Sequence, residues 1–243
     1  MNKQFPKRYG QVFLKDRNIA RYESTLFELD ESSSILEIGP GEGALTEFLL
    51  KPGSIVTVIE PDHQYVDFLQ VKFRESIENG HLKIVKADFL QIAGGTYDAI
   101  FGNIPYHISS EILFSLQRFT FKKCVLMLQL EFARRLLART GSKDYSRLSV
   151  NTQLRYSPHI EKVVNRNCFS PVPNVDSAIV SLVPLKVFSE RDIERADEVF
   201  RKLFSSRRKK IGTIYRNCPG NFRDMRVEEL SPEEILDLSL KLL

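Results

Sequence analysis

The stretch Ser34-Ile35-Leu36-Glu37-Ile38-Gly39-Pro40-Gly41-Glu42-Gly43-Ala44-Leu45 decides the fold. An apolar run ends in three glycines at alternate positions, and the apolar segment Ala44–Leu50 follows at once. Strand, glycine turn and helix in that order open a doubly wound sheet. Glycine lets the chain turn sharply and lets a ligand approach the main chain. The spacing is E-x-G-x-G-x-G, whereas dinucleotide enzymes carry GxGxxG, and Glu37 and Glu42 would repel a pyrophosphate. Acids suit a ligand bearing an amine and a sulfonium, which points to S-adenosylmethionine rather than a nicotinamide dinucleotide.

On either side of this stretch, strand-like and helix-like segments alternate. Ser34–Gly39, Ile55–Glu60, Leu82–Lys86, Tyr97–Asn103 and Cys124–Gln129 read as strands. Arg17–Leu29, Asp62–Glu78, Ser109–Phe119 and Glu131–Arg139 read as helices. The pattern predicts an α/β fold, a Rossmann-like sheet with helices on both faces. Glu161–Val164 and Ser177–Leu182 are expected to add an antiparallel pair at its edge. After Val187–Ser189 only helical patterns remain, at Glu190–Phe204, Ser206–Asn217 and Ser231–Leu242, the last opened by a Ser-Pro-Glu-Glu cap. The expected organisation is a donor-binding domain over 1–186 and a small helical domain over 187–243.

The 42% hydrophobic and 27% charged composition excludes a disordered chain, and no apolar run reaches the length of a membrane span. Cys124, Cys168 and Cys218 are odd in number and widely spaced, so free thiols, a reducing cytoplasm and no metal site are expected. The net charge of +4 hides segregation. Residues 1–21 carry net +5, residues 134–166 net +6 and residues 201–216 net +7, which leaves −14 for the rest. Three cationic stretches against an acidic remainder predict a polyanionic partner, and nucleic acid fits better than a membrane surface.

Three further positions carry chemistry. Glu60 ends the second strand, where an acid can accept both hydroxyls of a ribose. Asp88 follows the third strand and can accept from an adenine amino group or cap a helix. Asn103-Ile104-Pro105-Tyr106 follows the fourth strand. An exocyclic aromatic amine is a poor nucleophile because its lone pair is delocalised into the ring. The Asn103 carbonyl and a backbone carbonyl beside Pro105 can hold its hydrogens and favour a tetrahedral nitrogen. Tyr106 can stack on a flipped base.

With these motifs the chain resembles the ribosomal RNA small-subunit adenine N6,N6-dimethyltransferases, the KsgA group, in wording closest to its archaeal branch. The likeness runs through Gly10–Asp16, Glu37–Thr46, Asn103–Ser110, Leu126–Gln129, Gly141–Val150 and Phe169–Ala178. It implies methyl transfer from S-adenosylmethionine to the N6 of two adjacent adenosines in the 3′-terminal hairpin of small-subunit rRNA, within a pre-30S-type particle; no motif suggests an obligate dimer, so a monomer is expected. Gln11, Phe13 and Leu14 would then close over the donor's methionine end. Glu37, Gly39 and Gly41 would form its cradle, Glu60 would hold its ribose and Asp88 its adenine. Asn103, Pro105 and Tyr106 would hold the target, with Asn103 also beside the donor and Phe169 stacked on the base's other face. Arg134, Arg135, Lys143, Arg147, Arg207, Arg208, Lys209 and Lys210 would bind RNA phosphates.

The chain departs from the family pattern at Val12 and His107, where Asn is usual, and at Ser146, where Gly is usual. His107 could act as a base, or pack beside the site. Three other readings share these motifs: a large-subunit dimethyltransferase of the macrolide-resistance type, a non-catalytic ribosome-assembly factor, and a DNA adenine methylase.

Overall fold

The structure is a computed structural model that describes residues 12–243 apart from Glu31 and Pro52; Gln11 lies outside the described residues. Seven strands form the main sheet: β1 (Ser34–Ile38), β2 (Ile55–Ile59), β3 (Leu82–Val85), β4 (Ala99–Asn103), β5 (Lys123–Gln129), β6 (Tyr156–Val164) and β7 (Ser177–Pro184). Their order is β3-β2-β1-β4-β5-β7-β6. The five from β3 to β5 pair in parallel. The reversal of direction about β1 puts a topological switch point between β1 and β4, where the carboxyl ends of parallel strands form a crevice. The central strands are buried along almost their whole length, including Ile35, Leu36, Ile100, Phe101, Val125 and Leu126. Such continuous apolar runs are what a parallel sheet covered on both faces requires.

The chain divides into two compact units, one of residues up to Leu130 with Ile160–Ser181, the other Glu131–His159 with Leu182–Leu243. This differs from a linear boundary at 187. Glu131–His159 joins the C-terminal helices because Tyr145, Val150 and Leu154 bury with Phe200, Leu203 and Leu236 in one core. Tyr145 also donates its hydroxyl to the Leu230 carbonyl at 3.0 Å.

In the first unit, α1 (Arg17–Ser24) is capped by Asp16, which accepts from the Asn18 amide. It stops short of the Leu29 expected from periodicity. The Ser24 and Thr25 hydroxyls take the carbonyls of Arg21 and Tyr22, which competes with continued helix. The helix expected over 62–78 breaks at Phe73 into α3 (His63–Lys72) and α4 (Arg74–Glu78), following the short α2 (Thr46–Leu49). α5 (Ser109–Ser115) follows the Asn103–Tyr106 turn.

In the second unit, α6 (Leu130–Leu136) begins at the boundary, and α7 (Arg147–Arg155) packs with α8 (Glu190–Ser205) and α10 (Pro232–Leu242). The buried Arg155 guanidinium pairs with Glu190 and donates to the Asn151 side chain at 2.8 Å. The helix expected over 206–217 is only α9 (Ile211–Ile214). Four consecutive cations, Arg207–Lys210, precede it, and Arg207 donates to the Ser142 and Lys143 carbonyls at 2.8 Å each, holding that segment out of a helix. The α10 cap follows its sequence signature. Ser231 and Glu234 exchange hydrogen bonds at 3.2 and 2.8 Å. Among the described residues no helix is long and apolar enough to cross a membrane.

Candidate active site

Four adjacent strand ends build one cleft in the first unit. β1 delivers the glycine loop, β2 Glu60, β3 Asp88 and β4 Asn103, and all of these line the same pocket. Gly39, Gly41 and Gly43 have φ of 65°, 54° and 73°, a region that side chains with a Cβ disfavour. At Gly41 a Cβ would come within 2.9 Å of the Phe13 ring, so the loop can pass beneath Phe13 only as glycine. At Gly39 a Cβ would meet no atom within 4 Å, so the space in front of this residue is open to the cleft.

Three buried acids stand at or behind this cleft. Glu37 is buried beneath it and accepts from the Thr46 hydroxyl at 2.6 Å. Burial pushes its carboxyl up to about 7, against the lowering effect of that hydrogen bond. Glu60 accepts from the Gly41 amide at 3.2 Å and the Asp62 amide at 3.0 Å, which ties the end of β2 to the loop. Burial raises its carboxyl too. The third acid is Glu23 on α1, fully buried, whose carboxyl burial pushes up to about 8.

Asn103 closes β4. The end of its carboxamide lies 3.0 and 3.1 Å from the two Glu23 carboxyl oxygens, and we assign the amide nitrogen to that end, where it donates to both when Glu23 is ionised. The reverse assignment would set a carbonyl against an ionised carboxylate and is satisfied only when Glu23 carries a proton. Tyr106 hydrogen-bonds the buried Ser177 hydroxyl at 2.6 Å, which fixes its ring at the cleft wall. Phe13 and Leu14 pair with Ser170 and Phe169 in a two-stranded ribbon. This register brings Leu14 and Phe169, distant in sequence, to one wall of the cleft.

The model of the ribosomal RNA adenine dimethylase family matches residues 2–240. The chain belongs to this family. It is 36% identical over 233 residues to the ribosomal RNA small subunit methyltransferase A of Malacoplasma penetrans, covering 94% of this chain and 84% of the relative. It is 37% identical to the probable ribosomal RNA small subunit methyltransferase A of Methanosarcina acetivorans, covering 95% and 91%. Among solved structures, a dimethyladenosine transferase from Plasmodium falciparum superposes with a TM-score of 0.83 at 28% identity, covering 94% of this chain and 96% of that one. The 23S rRNA methyltransferase ErmE superposes at 0.74 with 31% identity, covering 95% and 99%.

The methyl donor of this dimethylase is S-adenosylmethionine, and the cleft fits it. The open space at Gly39 leaves room against the main chain, and among the described residues no Lys or Arg lines the pocket to repel a sulfonium. Phe13, Leu14, Glu37, Gly41, Glu60, Asp88, Asn103, Pro105, Tyr106 and Phe169 all line it as well. Asp88 also caps the turn after it, accepting from the Leu90 amide at 2.9 Å. Phe169 is at once a core residue, 3% exposed, and a cleft wall. His107 is exposed and lies outside the lining.

The cationic residues divide. Arg147 pairs with Asp197, and Arg207 pairs with Glu228, so both hold the second unit together. Lys210 pairs with Asp224 at 2.8 Å on the surface. Arg134, Lys143, Arg208 and Lys209 are exposed, and Arg135 is half-buried.

Glu23, Thr46 and Ser177 did not stand out in the sequence. For Glu23 the signal was present: it stands four residues after Ile19, on the face of α1 that is buried. A glutamate on an apolar helical face needs a partner.

Proposed function

We propose that this dimethylase methylates the N6 of two adjacent adenosines in the 3′-terminal hairpin of small-subunit rRNA, giving N6,N6-dimethyladenosine during cytoplasmic assembly of the subunit, as a monomer. The observation that carries the chemistry is the meeting of Asn103, Pro105 and Tyr106 with the glycine loop in one cleft. The small-subunit assignment rests on the names of the relatives.

S-adenosylmethionine supplies an electrophilic methyl on a sulfonium. Gly39 and Gly41 make room for it at the end of β1, with Glu60 at its ribose, Asp88 at its adenine and Glu37 beneath the loop. Phe13 and Leu14 cover its methionine end, and Gln11 is assigned there from the family resemblance alone. The Asn103 carbonyl and a main-chain carbonyl at Pro105 accept the hydrogens of the target amine and so direct its lone pair toward the methyl. Tyr106 and Phe169 clamp the flipped base. No strong base is needed, because the nitrogen becomes acidic as it gains a methyl and can release its proton to water. The chain contributes orientation and electrostatic complementarity.

To test this, the protein is incubated with labelled donor and under-methylated small subunits, large subunits or bare RNA, and the nucleosides are identified. Labelled N6,N6-dimethyladenosine from small subunits is expected. Label in large subunits alone would place the chain with the methyltransferases that ErmE represents. No label in any substrate would remove the catalytic reading.

The exposed cations of the second unit are assigned to rRNA phosphates. Replacing Arg208 and Lys209 together with Ala should reduce the slope of log affinity against log salt by about 1.4–1.8. Arg207→Ala should instead lower the melting temperature, because its guanidinium holds Glu228 and two main-chain carbonyls. An unchanged salt slope in the double variant would move the RNA surface elsewhere.

A further inference from the structure

We infer that Glu23 is a positioning residue for methyl transfer: it sets which end of the Asn103 carboxamide faces the target amine. This rests on the assignment of Asn103 as the acceptor of that amine's hydrogens.

The geometry is specific. Glu23 lies on the buried face of α1, with no exposed surface, and Asn103 ends β4 at the cleft wall. Both Glu23 oxygens lie within hydrogen-bond distance of the end of the Asn103 carboxamide, at 3.0 and 3.1 Å with the amide nitrogen assigned to that end. A carboxylate has only acceptors to offer. It therefore holds the amide nitrogen inward and leaves the Asn103 carbonyl for the cleft. The target amine presents hydrogens, so this is the complementary arrangement.

A neutral Glu23 reverses the logic. Its hydroxyl can donate, and the acceptor within reach is the Asn103 carbonyl. Once that oxygen is engaged, the amide nitrogen is the group left for the cleft, and N–H meets N–H. The proton on Glu23 thus distinguishes a competent from an incompetent Asn103.

The surroundings place this proton near the working range. Asn103 on β4 faces Glu23 as a polar, non-titrating group, and Glu37 on β1 faces it as a like charge, with Glu60 and Lys72 standing beyond Glu37. Glu23 is also in the last turn of α1, where the helix dipole opposes a negative charge. Burial, the largest influence, pushes the carboxyl up to about 8, and the Asn103 hydrogen bond opposes it. For an acid raised in this way the ionised, competent form grows as pH rises.

The test is single-turnover methyl transfer to under-methylated small subunits between pH 6.5 and 8.5, with donor and RNA affinities and thermal melts measured alongside. The wild-type rate should rise at least about tenfold over this range. Glu23→Gln keeps the shape but cannot ionise, and its profile should lose the limb near pH 8. Any limb left should belong to Glu37 and disappear on adding Glu37→Gln. Glu23→Leu should run about 10–100-fold below the wild-type plateau at every pH, with donor and RNA affinities near wild type. A Glu23→Gln profile that keeps the wild-type limb, or Glu23→Leu at the wild-type plateau, would overturn the inference while leaving the dimethylase reading intact. Failure of the wild-type protein to methylate adenine would overturn both. Should Glu23→Leu fail to fold, the Glu23→Gln profile decides alone.

Discussion

Asn103→Ala lowers the rate constant for methyl transfer by about 10²–10³-fold and leaves donor and RNA affinities close to wild type. The reason is that the proposed role puts Asn103 where the amine changes geometry. A planar aromatic amine becomes tetrahedral as it attacks, and its hydrogens then point toward acceptors that do less for the planar form. An interaction made mainly in the transition state appears in the rate constant and not in binding. The removal also strips Glu23 of its hydrogen-bonding partner, because both carboxylate oxygens face the Asn103 amide. Asn103→Asp is the sharper control, since it keeps a side-chain carbonyl and loses the amide donor. It sets a second carboxyl against Glu23, and two buried acids in contact share a proton. Its rate should be no better than that of Asn103→Ala. Single-turnover kinetics beside equilibrium binding read both variants. Loss of RNA binding in Asn103→Ala would make the residue structural.

Gly39→Val abolishes measurable donor binding, whereas Gly43→Ala unfolds the protein at lower temperature. Both glycines have positive φ, so each substitution carries a backbone cost of about 1–2 kcal/mol. What differs is the space beyond. A Cβ on Gly39 meets nothing within 4 Å, so a larger side chain there enters the cleft, where the donor is proposed to bind. A Cβ on Gly43 lies 2.5 Å from the Phe73 ring and 3.0 Å from Leu69, both buried in the core of the first unit. Overpacking adds about 1–3 kcal/mol to the backbone cost. For a chain of this length the two together should lower the melting temperature by roughly 10 °C. Calorimetric titration with donor and thermal melts separate the two effects. Intact donor binding in Gly39→Val would place the methyl donor away from the end of β1.

The glycine loop was legible because its information is local. Three glycines at alternate positions after an apolar run have few uses other than a turn that meets a ligand, and the structure gives all three positive φ. Glu60, Asp88 and Asn103 were legible for a related reason, since each ends a strand and a parallel sheet collects its strand ends on one edge. Helix lengths were less legible. α1 ends at Ser24, where hydroxyls compete locally with a pattern that periodicity alone would extend, and the 62–78 helix breaks at Phe73, which leaves helical geometry and is buried in the core of the first unit.

By itself the sequence determined the doubly wound sheet, the loop chemistry and the set of strand-end residues that line the cleft. These follow from periodicity and from residue types whose backbone or acceptor properties admit few alternatives. Only the tertiary structure decided the rest. It joined Phe169 to Leu14 across a ribbon, set Ser177 against Tyr106, and separated Arg147 and Arg207, which hold helices, from Arg208 and Lys209, which face solvent. It also drew Glu131–His159 into the second unit and placed Glu23 against Asn103, a contact across 80 residues. The physical reason is common to all of these. A side chain's neighbours across the chain are chosen by the packing of whole elements, and a charge has the same spelling in the sequence whether it meets water, a partner or a buried amide.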